Sequence, residues 1–308
     1  MPCYHKMLAV KEERPDGTSK MRILKKSLYK DVPEEIMKDY MYLLNCGQCI
    51  GCRLEKSRQW AIRCVHEAML YVDNCFITLT FNEENIQKNK SLKKSDFQKF
   101  MKRLRKKYSP KKIRFFHCGE YGDKLDRPHH HACLFNHDFN DKILYTSENN
   151  IRLYRSETLD KLWGKGYCTI GDVTFESAAY VARYVTKKIN GTKAEGHYKD
   201  RIPEYVTMSR NSGLGKGWFL KYKNDVFPQD NIIIRGGIKC KPPKYYDKQY
   251  ELTDPKKYEI IKQIRERSAK NSEHNTVARL KDRELVKLSR TKLLKRGYEN
   301  GKTNFFTV

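Results

Sequence analysis

Several short stretches of this chain have the hydrophobic and polar patterns of β-strands, with a clear period of two in the stretch that contains three consecutive histidines. The stretches cover residues 76–81, 113–120, 128–135 and 167–173, and aromatic and β-branched residues are frequent in them. A short run with glycine and aspartate at turn positions joins the second stretch to the third. We therefore expect residues 113–120 and 128–135 to form a β-hairpin.

Outside these strands, apolar residues recur every three or four positions in four segments, and this spacing predicts amphipathic helices. The predicted helices cover residues 53–72, 95–108, 156–163 and 175–189. In the first helix the apolar line consists of Leu54, Trp60, Ala61, Cys64, Val65, Ala68 and Val72. The order strand, helix, hairpin, helix, strand, helix predicts an α+β fold in which a central antiparallel sheet is flanked by helices.

Two of these helices have recognisable start signals. The run Ser95-Asp96-Phe97-Gln98 matches a capping box, in which Ser95 caps the second helix. Thr174 stands directly before the last predicted helix and is a candidate N-cap.

The remaining chain divides by composition. Residues 1–52 form a polar, Cys-rich segment with little periodicity, and we expect it to be rich in loops. Residues 53–245 form the predicted main domain, which ends near the two prolines of Lys241-Pro242-Pro243-Lys244. Residues 246–308 form a basic extension with a helix-like polar pattern. This extension is either a helical DNA clamp or a partly disordered basic tail.

Charge and composition narrow the class of partner. The chain has 63 Lys and Arg against 37 Asp and Glu, a formal net charge of +26, which attracts polyanions. Its 20 tyrosines and 13 phenylalanines suit a surface on which unpaired bases stack. No apolar run approaches membrane-spanning length, and the N-terminal residues lack the apolar core of a signal peptide. We therefore expect the protein to act in a cytoplasm.

Three residues of the predicted hairpin are candidate metal ligands. His129 and His131 are two apart, so they point to the same face of a strand, about 7 Å from each other, while His130 points to the other face. Folding of the hairpin brings Glu120 beside them. Two imidazoles and a carboxylate with open coordination positions suit a catalytic metal.

The helix predicted over residues 175–189 has two candidate nucleophiles. Tyr180 and Tyr184 are four apart and therefore lie on the same helix face, and Lys187 and Lys188 continue that face. A phenolic hydroxyl attacks a phosphate when a metal polarises the phosphate, and a nearby lysine stabilises the developing charge. Two equivalent tyrosines suggest two successive transfers. Tyrosine pairs at this spacing also occur as packing residues on buried helix faces.

These motifs resemble those of the HUH endonucleases, which initiate rolling-circle replication. The similarity extends to the replication initiators of microviruses, the small single-stranded DNA phages, and in particular to their gokushovirus branch. The three family motifs correspond to residues 76–81, 127–131 and 180–188, and further similar runs lie at residues 46–53, 208–215 and 241–247. At His130 the family usually has a hydrophobic or aromatic residue.

The resemblance implies a sequence-directed DNA nicking and joining enzyme with Mg²⁺ or Mn²⁺ at His129, His131 and Glu120. It implies that one of the two tyrosines, without preference, retains the 5′-phosphate of the cut strand, and that the other acts in a second cut. The partners so implied are the viral origin DNA, a host helicase and a host DNA polymerase, in the cytoplasm of an infected bacterium. The sequence makes no prediction of oligomeric state.

Ten cysteines in an intracellular protein indicate thiols or metal ligands rather than disulfides. Four of five residues near the N-terminus can form a structural zinc site, the alternative being unliganded thiols; the five are Cys3, His5, Cys46, Cys49 and Cys52. The cysteines in apolar, strand-like contexts are expected in the core; these are Cys75, Cys118, Cys133, Cys168 and Cys240.

Basic residues outside the motifs are candidate DNA contacts. Arg103, Lys106 and Lys107 lie on the polar face of the helix predicted over residues 95–108, although such a face is often only solvated. Arg210 and Lys216 belong to a glycine-containing run that either approaches phosphate through its backbone or is a simple connection. Arg183, between the two tyrosines, completes this set of candidates.

Two other classes of protein remain open at this point. Two histidines and a carboxylate also suit the Fe(II) of a non-haem oxygenase, but the paired tyrosines and the positive charge have no role in such an enzyme. Alternatively, the chain is a non-catalytic DNA-binding protein that zinc stabilises through the cysteines, with its histidines in the core.

Overall fold

The computed structural model describes residues 2–24, 41–122, 125–148, 151–187 and 192–292. The strands in these residues are β1 (Met7–Glu13), β2 (Ser19–Ile23), β3 (Tyr42–Leu44), β4 (Asn74–Thr80), β5 (Arg114–Tyr121), β6 (Pro128–Phe135), β7 (Ile143–Glu148), β8 (Ile151–Arg155), β9 (Cys168–Gly171), β10 (Tyr205–Met208), β11 (Ile232–Ile233) and β12 (Lys239–Cys240). The helices are α1 (Ile50–Ala68), α2 (Lys94–Lys107), α3 (Glu157–Trp163), α4 (Phe175–Lys187), α5 (Thr192–Tyr198), α6 (Lys216–Val226), α7 (Lys244–Thr253), α8 (Pro255–Lys270) and α9 (Val277–Lys292).

Seven strands form one antiparallel sheet in the order β10-β5-β6-β4-β9-β8-β7. Strands β5 and β6 pair as the expected hairpin, with Glu120 opposite His129. Strand β4 pairs with β6 on one side and with β9 on the other. The predicted central antiparallel sheet is therefore confirmed.

Helices cover both faces of this sheet. On one face, α2 and α3 pack on the strands through Phe97, Phe100, Met101, Leu104, Leu159 and Trp163. On the other face, α1 and α4 contribute Ala61, Cys64, Ala178, Tyr180, Val181 and Ala182. Each large apolar side chain buried in this way stabilises the fold by about 1.5–3 kcal/mol relative to the exposed side chain. The flanking helices of the predicted α+β fold are thus confirmed.

Several predicted helix ends are corrected. Helix α1 ends at Ala68, not at residue 72, because the amide of Asn74 donates to the carbonyls of Ala68 and Tyr71 and terminates the last turn; Val72 is exposed. The capping box at Ser95 is not formed, because α2 begins one residue earlier and has no side-chain cap. The cap at Thr174 is confirmed, because its hydroxyl accepts a hydrogen bond from the backbone N–H of Ser177 at 3.1 Å.

The loop-rich interpretation of residues 1–52 is wrong for part of that segment. Strands β1, β2 and β3 form a separate antiparallel sheet in the order β2-β1-β3. Ala9 of β1 pairs with Ile23 on one side and with Tyr42 on the other. The residues of β2 are all exposed, so the strand has no apolar face that a sequence pattern would reveal.

The chain divides into two compact units. The described part of the first consists of residues 2–24, 41–55 and 271–292, and that of the second consists of residues 56–122, 125–148, 151–187 and 192–270. This division differs from the boundary predicted at residue 245, since α7 and α8 belong to the second unit and α9 to the first. Within the second unit, helices α6 to α8 form a further apolar cluster around Phe219, Tyr246, Tyr250 and Ile261.

No described helix has the length and the apolar character needed to cross a membrane.

Candidate catalytic and metal sites

The alternation of strand β6 separates its three histidines. His129 is opposite Thr80 of β4 and Glu120 of β5, and His131 is opposite Thr78 of β4. Directly opposite residues share a face of the sheet, so all of these side chains belong to one face. The rings of His129 and His131 are 6.3 Å apart between centroids.

Hydrogen bonds hold both imidazoles in place. Nε2 of His131 lies 2.7 Å from Oε1 of Glu120, and its Nδ1 lies 2.9 Å from the hydroxyl of Thr78. Nδ1 of His129 lies 3.3 Å from the hydroxyl of Thr80. Because a threonine hydroxyl can donate or accept, Thr78 can stay bonded to His131 when the proton moves between the two ring nitrogens. The sequence did not reveal this role of the threonines, although their spacing of two on a neighbouring strand is compatible with it.

His131 and Glu120 can offer the nitrogen and oxygen ligands that Mg²⁺ or Mn²⁺ accepts at a catalytic site, because Nε2 of His131 lies beside the Glu120 carboxylate. Both side chains are almost fully buried. His129 lies on the same face, but its ring nitrogens do not form one close group of ligand atoms with those of His131 and Glu120. Among the described residues, such a group is formed by four cysteines alone.

Helix α4 places Tyr180 over this face of the sheet. Its ring meets that of His131 edge-on, at 5.2 Å between centroids, and it also contacts Phe76. Tyr180 is only 3% exposed, so its ring is part of the core as well as a neighbour of the candidate metal ligand. The guanidinium carbon of Arg183 lies 5.9 Å from the Tyr180 ring centroid.

The second predicted tyrosine, Tyr184, lies one helical turn further along α4. Its side chain and that of Lys187 are outside the described part of the structure, and Lys188 lies outside the described residues altogether.

His130 lies on the opposite face of the sheet, as the alternation predicts. Its Nδ1 is 3.1 Å from Nε2 of His117, whose Nδ1 is 2.8 Å from the hydroxyl of Thr207. The ring of Phe97 stacks on His117 at 3.5 Å between centroids. Burial, together with smaller repulsion from the neighbouring His131 and His129, lowers the pKa of His130 to about 3. A neutral His130 is therefore an element of the core.

The predicted DNA contacts have different surroundings. Arg103 donates to the carbonyls of Leu162 and Trp163 and so ties α2 to the end of α3. Lys106, Lys107 and Arg210 are exposed, and Lys216 is the half-buried first residue of α6.

A groove of about 660 Å³ adjoins Arg210, at the end of β5 that is far from Glu120. Its cationic lining consists of Arg105, Lys111, Lys112, Arg114 and Arg210.

Four cysteines of the first unit converge. The sulfur of Cys3 lies 3.6 Å from that of Cys46 and 4.0 Å from that of Cys49, and Cys46 and Cys52 are 4.0 Å apart. Four thiolates around a tetrahedral zinc at a Zn–S distance of about 2.3 Å are separated by about 3.8 Å. The cluster could therefore bind a metal such as zinc. His5 is not a member, because its Nε2 is 2.9 Å from the carboxylate of Glu284.

Backbone groups of the cluster favour a thiolate. Burial raises the pKa of Cys49, but hydrogen bonds from the N–H groups of Cys52 and Tyr4 and from neighbouring thiols outweigh it and lower the pKa to about 7. Four of the five cysteines expected in the core are buried there, namely Cys75, Cys118, Cys133 and Cys168. The fifth, Cys240, is only half-buried. Burial raises the pKa of Cys75 well above its usual range.

Comparisons with known proteins assign the chain to a class of proteins. A family model described as "Replication-associated protein ORF2/G2P" matches residues 74–189, a region that contains Glu120, His129, His131 and Tyr180. No solved structure matches the chain.

The chain is also similar to named phage proteins over most of its length. It is 33% identical to the replication-associated protein VP4 of Bdellovibrio phage phiMH2K, over 80% of this chain and 76% of that protein. It is 34% identical to the replication-associated protein ORF2 of Spiroplasma virus 4, over 75% and 77% of the two chains. A third relative, the replication-associated protein ORF4 of Chlamydia phage 1, is 29% identical over 68% of this chain and 54% of its own length. The chain belongs to the family of microvirus replication-associated proteins.

Proposed function

We propose that this protein initiates rolling-circle replication by nicking one strand of the phage origin, and that it later rejoins the strand to release a circle. The observation that carries the proposal is the position of Tyr180 over His131, which is itself bonded to Glu120. These residues lie within the region that matches the replication family. The reaction would take place in the cytoplasm of the infected bacterium.

The metal site of the proposed enzyme is formed by His129, His131 and Glu120. A bound Mg²⁺ or Mn²⁺ would supply Lewis-acid polarisation of the scissile phosphate. Thr78 and Thr80 orient the two imidazoles through their Nδ1 atoms, so that Nε2 of His131 remains directed at the Glu120 side chain.

Tyr180 or Tyr184 is the proposed nucleophile. The phenolic oxygen loses its proton and forms a bond to phosphorus, while the bond between phosphorus and the 3′ oxygen breaks. The 3′ oxygen takes up a proton and becomes the free hydroxyl that primes synthesis, and the 5′-phosphate stays on the tyrosine. Lys187 and Lys188 follow on the same segment of sequence and would stabilise the charge on the phosphate.

The second tyrosine would cut the regenerated origin, after which the free 3′-hydroxyl attacks the first phosphotyrosine ester and closes the circle. Because the ester conserves the energy of the broken bond, joining requires no ATP. The sequence has no GxxxxGK[ST] phosphate-binding loop, so we assign unwinding to a host helicase and synthesis to a host DNA polymerase.

A denaturing gel for a covalent protein–DNA adduct tests the proposal. Purified protein is incubated with single-stranded origin DNA and Mn²⁺, alongside Tyr180→Phe, Tyr184→Phe and His131→Ala. We expect an adduct that requires metal, disappears in His131→Ala and depends on at least one of the two tyrosines. Tyr42→Phe, at an exposed position of β3, is the control and should retain the adduct. DNA binding without any nick or adduct would instead support the non-catalytic DNA-binding protein.

The cysteine cluster supports a second proposal, a structural zinc ion held by Cys3, Cys46, Cys49 and Cys52. All four sulfur atoms lie within 4.8 Å of one another, and four thiolates leave no open coordination position. Metal analysis should find about one zinc per chain, in line with a single four-coordinate site. Cys46→Ser should lose the zinc, whereas His5→Ala should keep it, because His5 pairs with Glu284. Zinc loss in His5→Ala would contradict the all-cysteine ligand set.

A further inference from the structure

The strand register places Tyr167 beside the candidate active site. The backbone N–H of Thr80 donates to the carbonyl of Tyr167 at 2.9 Å, which continues the pairing of β4 with the strand that becomes β9. Thr80 is also opposite His129. Tyr167, Thr80 and His129 therefore point to the same face of the sheet, on three adjacent strands.

Arg155 continues this row on the next strand. Tyr154 of β8 pairs with Ile170 of β9, so Arg155 faces the position of Thr169, which is opposite Thr78 of the candidate site. The guanidinium carbon of Arg155 lies 5.9 Å from the ring centroid of Tyr167. The carboxylate of Asp160, 3.0 Å from Nη2, holds the guanidinium in this position.

Tyr145 of β7 completes the row. Its ring centroid lies 5.6 Å from the guanidinium carbon of Arg155, which thus lies between two aromatic rings. Both rings are open to solvent, with Tyr167 47% and Tyr145 41% exposed. Helices α1 and α4, in contrast, pack on the residues of β4, β5 and β6 on this face.

We propose that Tyr145, Arg155 and Tyr167 form a stacking platform for unpaired bases of the DNA strand that is cut. Exposed aromatic rings and a planar guanidinium each offer a flat face that can stack on any base. Three strand spacings separate Thr80 from β7, roughly 14 Å, which leaves room for about two to four bases at 3.4 Å or more per nucleotide. This inference rests on the proposed function, because it takes the ligand to be the strand that enters the active site.

The platform should prefer single-stranded DNA over duplex DNA. In a duplex each base face is already stacked on its neighbours, so only the phosphate backbone and the groove edges remain accessible. A contact that depends on base faces is therefore lost on annealing, whereas a purely electrostatic contact is retained.

Fluorescence anisotropy without divalent metal tests this inference separately from catalysis. The probe is a fluorescein-labelled oligothymidylate of about fifteen nucleotides, within the usual range for single-strand sites, with a duplex of the same length for comparison. Tyr167→Ala and Tyr145→Ala should each weaken single-strand binding by about tenfold. Their binding to duplex should be unchanged. Tyr167→Phe retains the ring and should bind as the wild type does.

Leu144→Ala is the matched control. Leu144 adjoins Tyr145 on β7, is 55% exposed, and is paired with Tyr154, whose ring packs on the opposite face of the sheet. Its substitution should leave both affinities unchanged. The platform would be overturned if Tyr167→Ala bound single-stranded DNA as tightly as the wild type does. It would also be overturned if the substitution weakened binding to duplex DNA by the same factor as binding to single-stranded DNA. Either result leaves the adduct assay unaffected, so a failed platform and a failed nicking mechanism can be told apart.

Discussion

Three consecutive histidines have different surroundings because successive residues of strand β6 point to opposite faces of the sheet. His129 and His131 bond threonine hydroxyls of β4, whereas His130 bonds His117 on the other face. His131 has both ring nitrogens within 3 Å of a partner, Thr78 on one side and Glu120 on the other. At the scale of single residues, His131 is therefore the best-defined candidate ligand.

Thr78 should affect metal affinity more than it affects the fold. Thr78→Val keeps the shape of the side chain but removes the hydrogen bond to Nδ1 of His131. Loss of such an outer partner typically costs 10–100-fold in metal affinity, so we expect the Mn²⁺ concentration for half-maximal nicking to rise by about tenfold. Thr169→Val, opposite Thr78 on β9, is the control. A shift of the same size in both variants would argue against a specific role for Thr78.

His66 should make stability depend on pH. Burial lowers the pKa of His66 to about 3, and its ring stacks on Trp218 and bonds the hydroxyl of Tyr246. In the unfolded chain a histidine has a pKa of about 6.5, so between these two pKa values only the unfolded state binds the proton. This contribution to stability is complete above about pH 6.5 and is lost as the pH falls, by about 2 kcal/mol at pH 5.

Urea unfolding at pH 7 and pH 5 measures this contribution. The free energy of unfolding should fall less between the two pH values in His66→Gln than in the wild type, by about 2 kcal/mol. Because other buried histidines also titrate, the comparison uses this difference between the proteins rather than the total loss. An identical pH dependence in both proteins would rule out His66 as a source.

At the scale of elements, the parts of the fold that the sequence predicted are local. The β5–β6 hairpin joins adjacent segments with an alternating pattern, so the position of Glu120 opposite His129 follows from the pattern and the turn. The face of α4 follows in the same way from the spacing of its apolar residues.

Other elements could not be predicted in this way. Strand β10 pairs with β5 across a long stretch of intervening sequence, and no local pattern indicates such a partner. The β7–β8 hairpin has a register shift between Leu144 and Thr146, which interrupts the alternation that would have revealed it. The residues of the proposed stacking platform come from this part of the sheet, and the sequence analysis did not identify them for that reason.

Glu67 joins three elements, α1, β5 and α6. Its carboxylate is 2% exposed, lies 2.7 Å from Nε of Arg114 and accepts the backbone N–H of Gly215 at 2.7 Å. Glu67→Ala removes the carboxylate partner of Arg114, which keeps its hydrogen bonds to Asn211 and Ser212. It also leaves the N–H of Gly215 without its acceptor, so we expect the free energy of unfolding to fall by about 3 kcal/mol. The control is Glu157→Ala, which breaks an exposed pair with Lys161 and should cost less than about 1 kcal/mol. Chemical denaturation measures both, and equal effects would contradict the assigned role of Glu67.

At the scale of the whole molecule, the two units differ in what holds each one together. The second unit has a seven-stranded sheet with apolar clusters on both faces. The first unit has a three-stranded sheet in which one strand is entirely exposed, together with four converging cysteines. A small sheet with so little buried apolar surface commonly depends on a metal for its stability.

Removal of zinc should therefore affect the first unit selectively. Cys3 precedes β1 and Cys46 follows β3, so a shared ion would hold both ends of the small sheet together. After treatment with a strong chelator, hydrogen exchange in peptides from β1 to β3 should accelerate to nearly the unfolded rate, because the metal supplies folding free energy there. Peptides from β4 to β6 should keep their protection, since apolar packing stabilises that sheet. Cys49→Ser without chelator should reproduce the pattern, whereas unchanged exchange in β1 to β3, or equal loss in both sheets, would show that the cluster does not have this structural role.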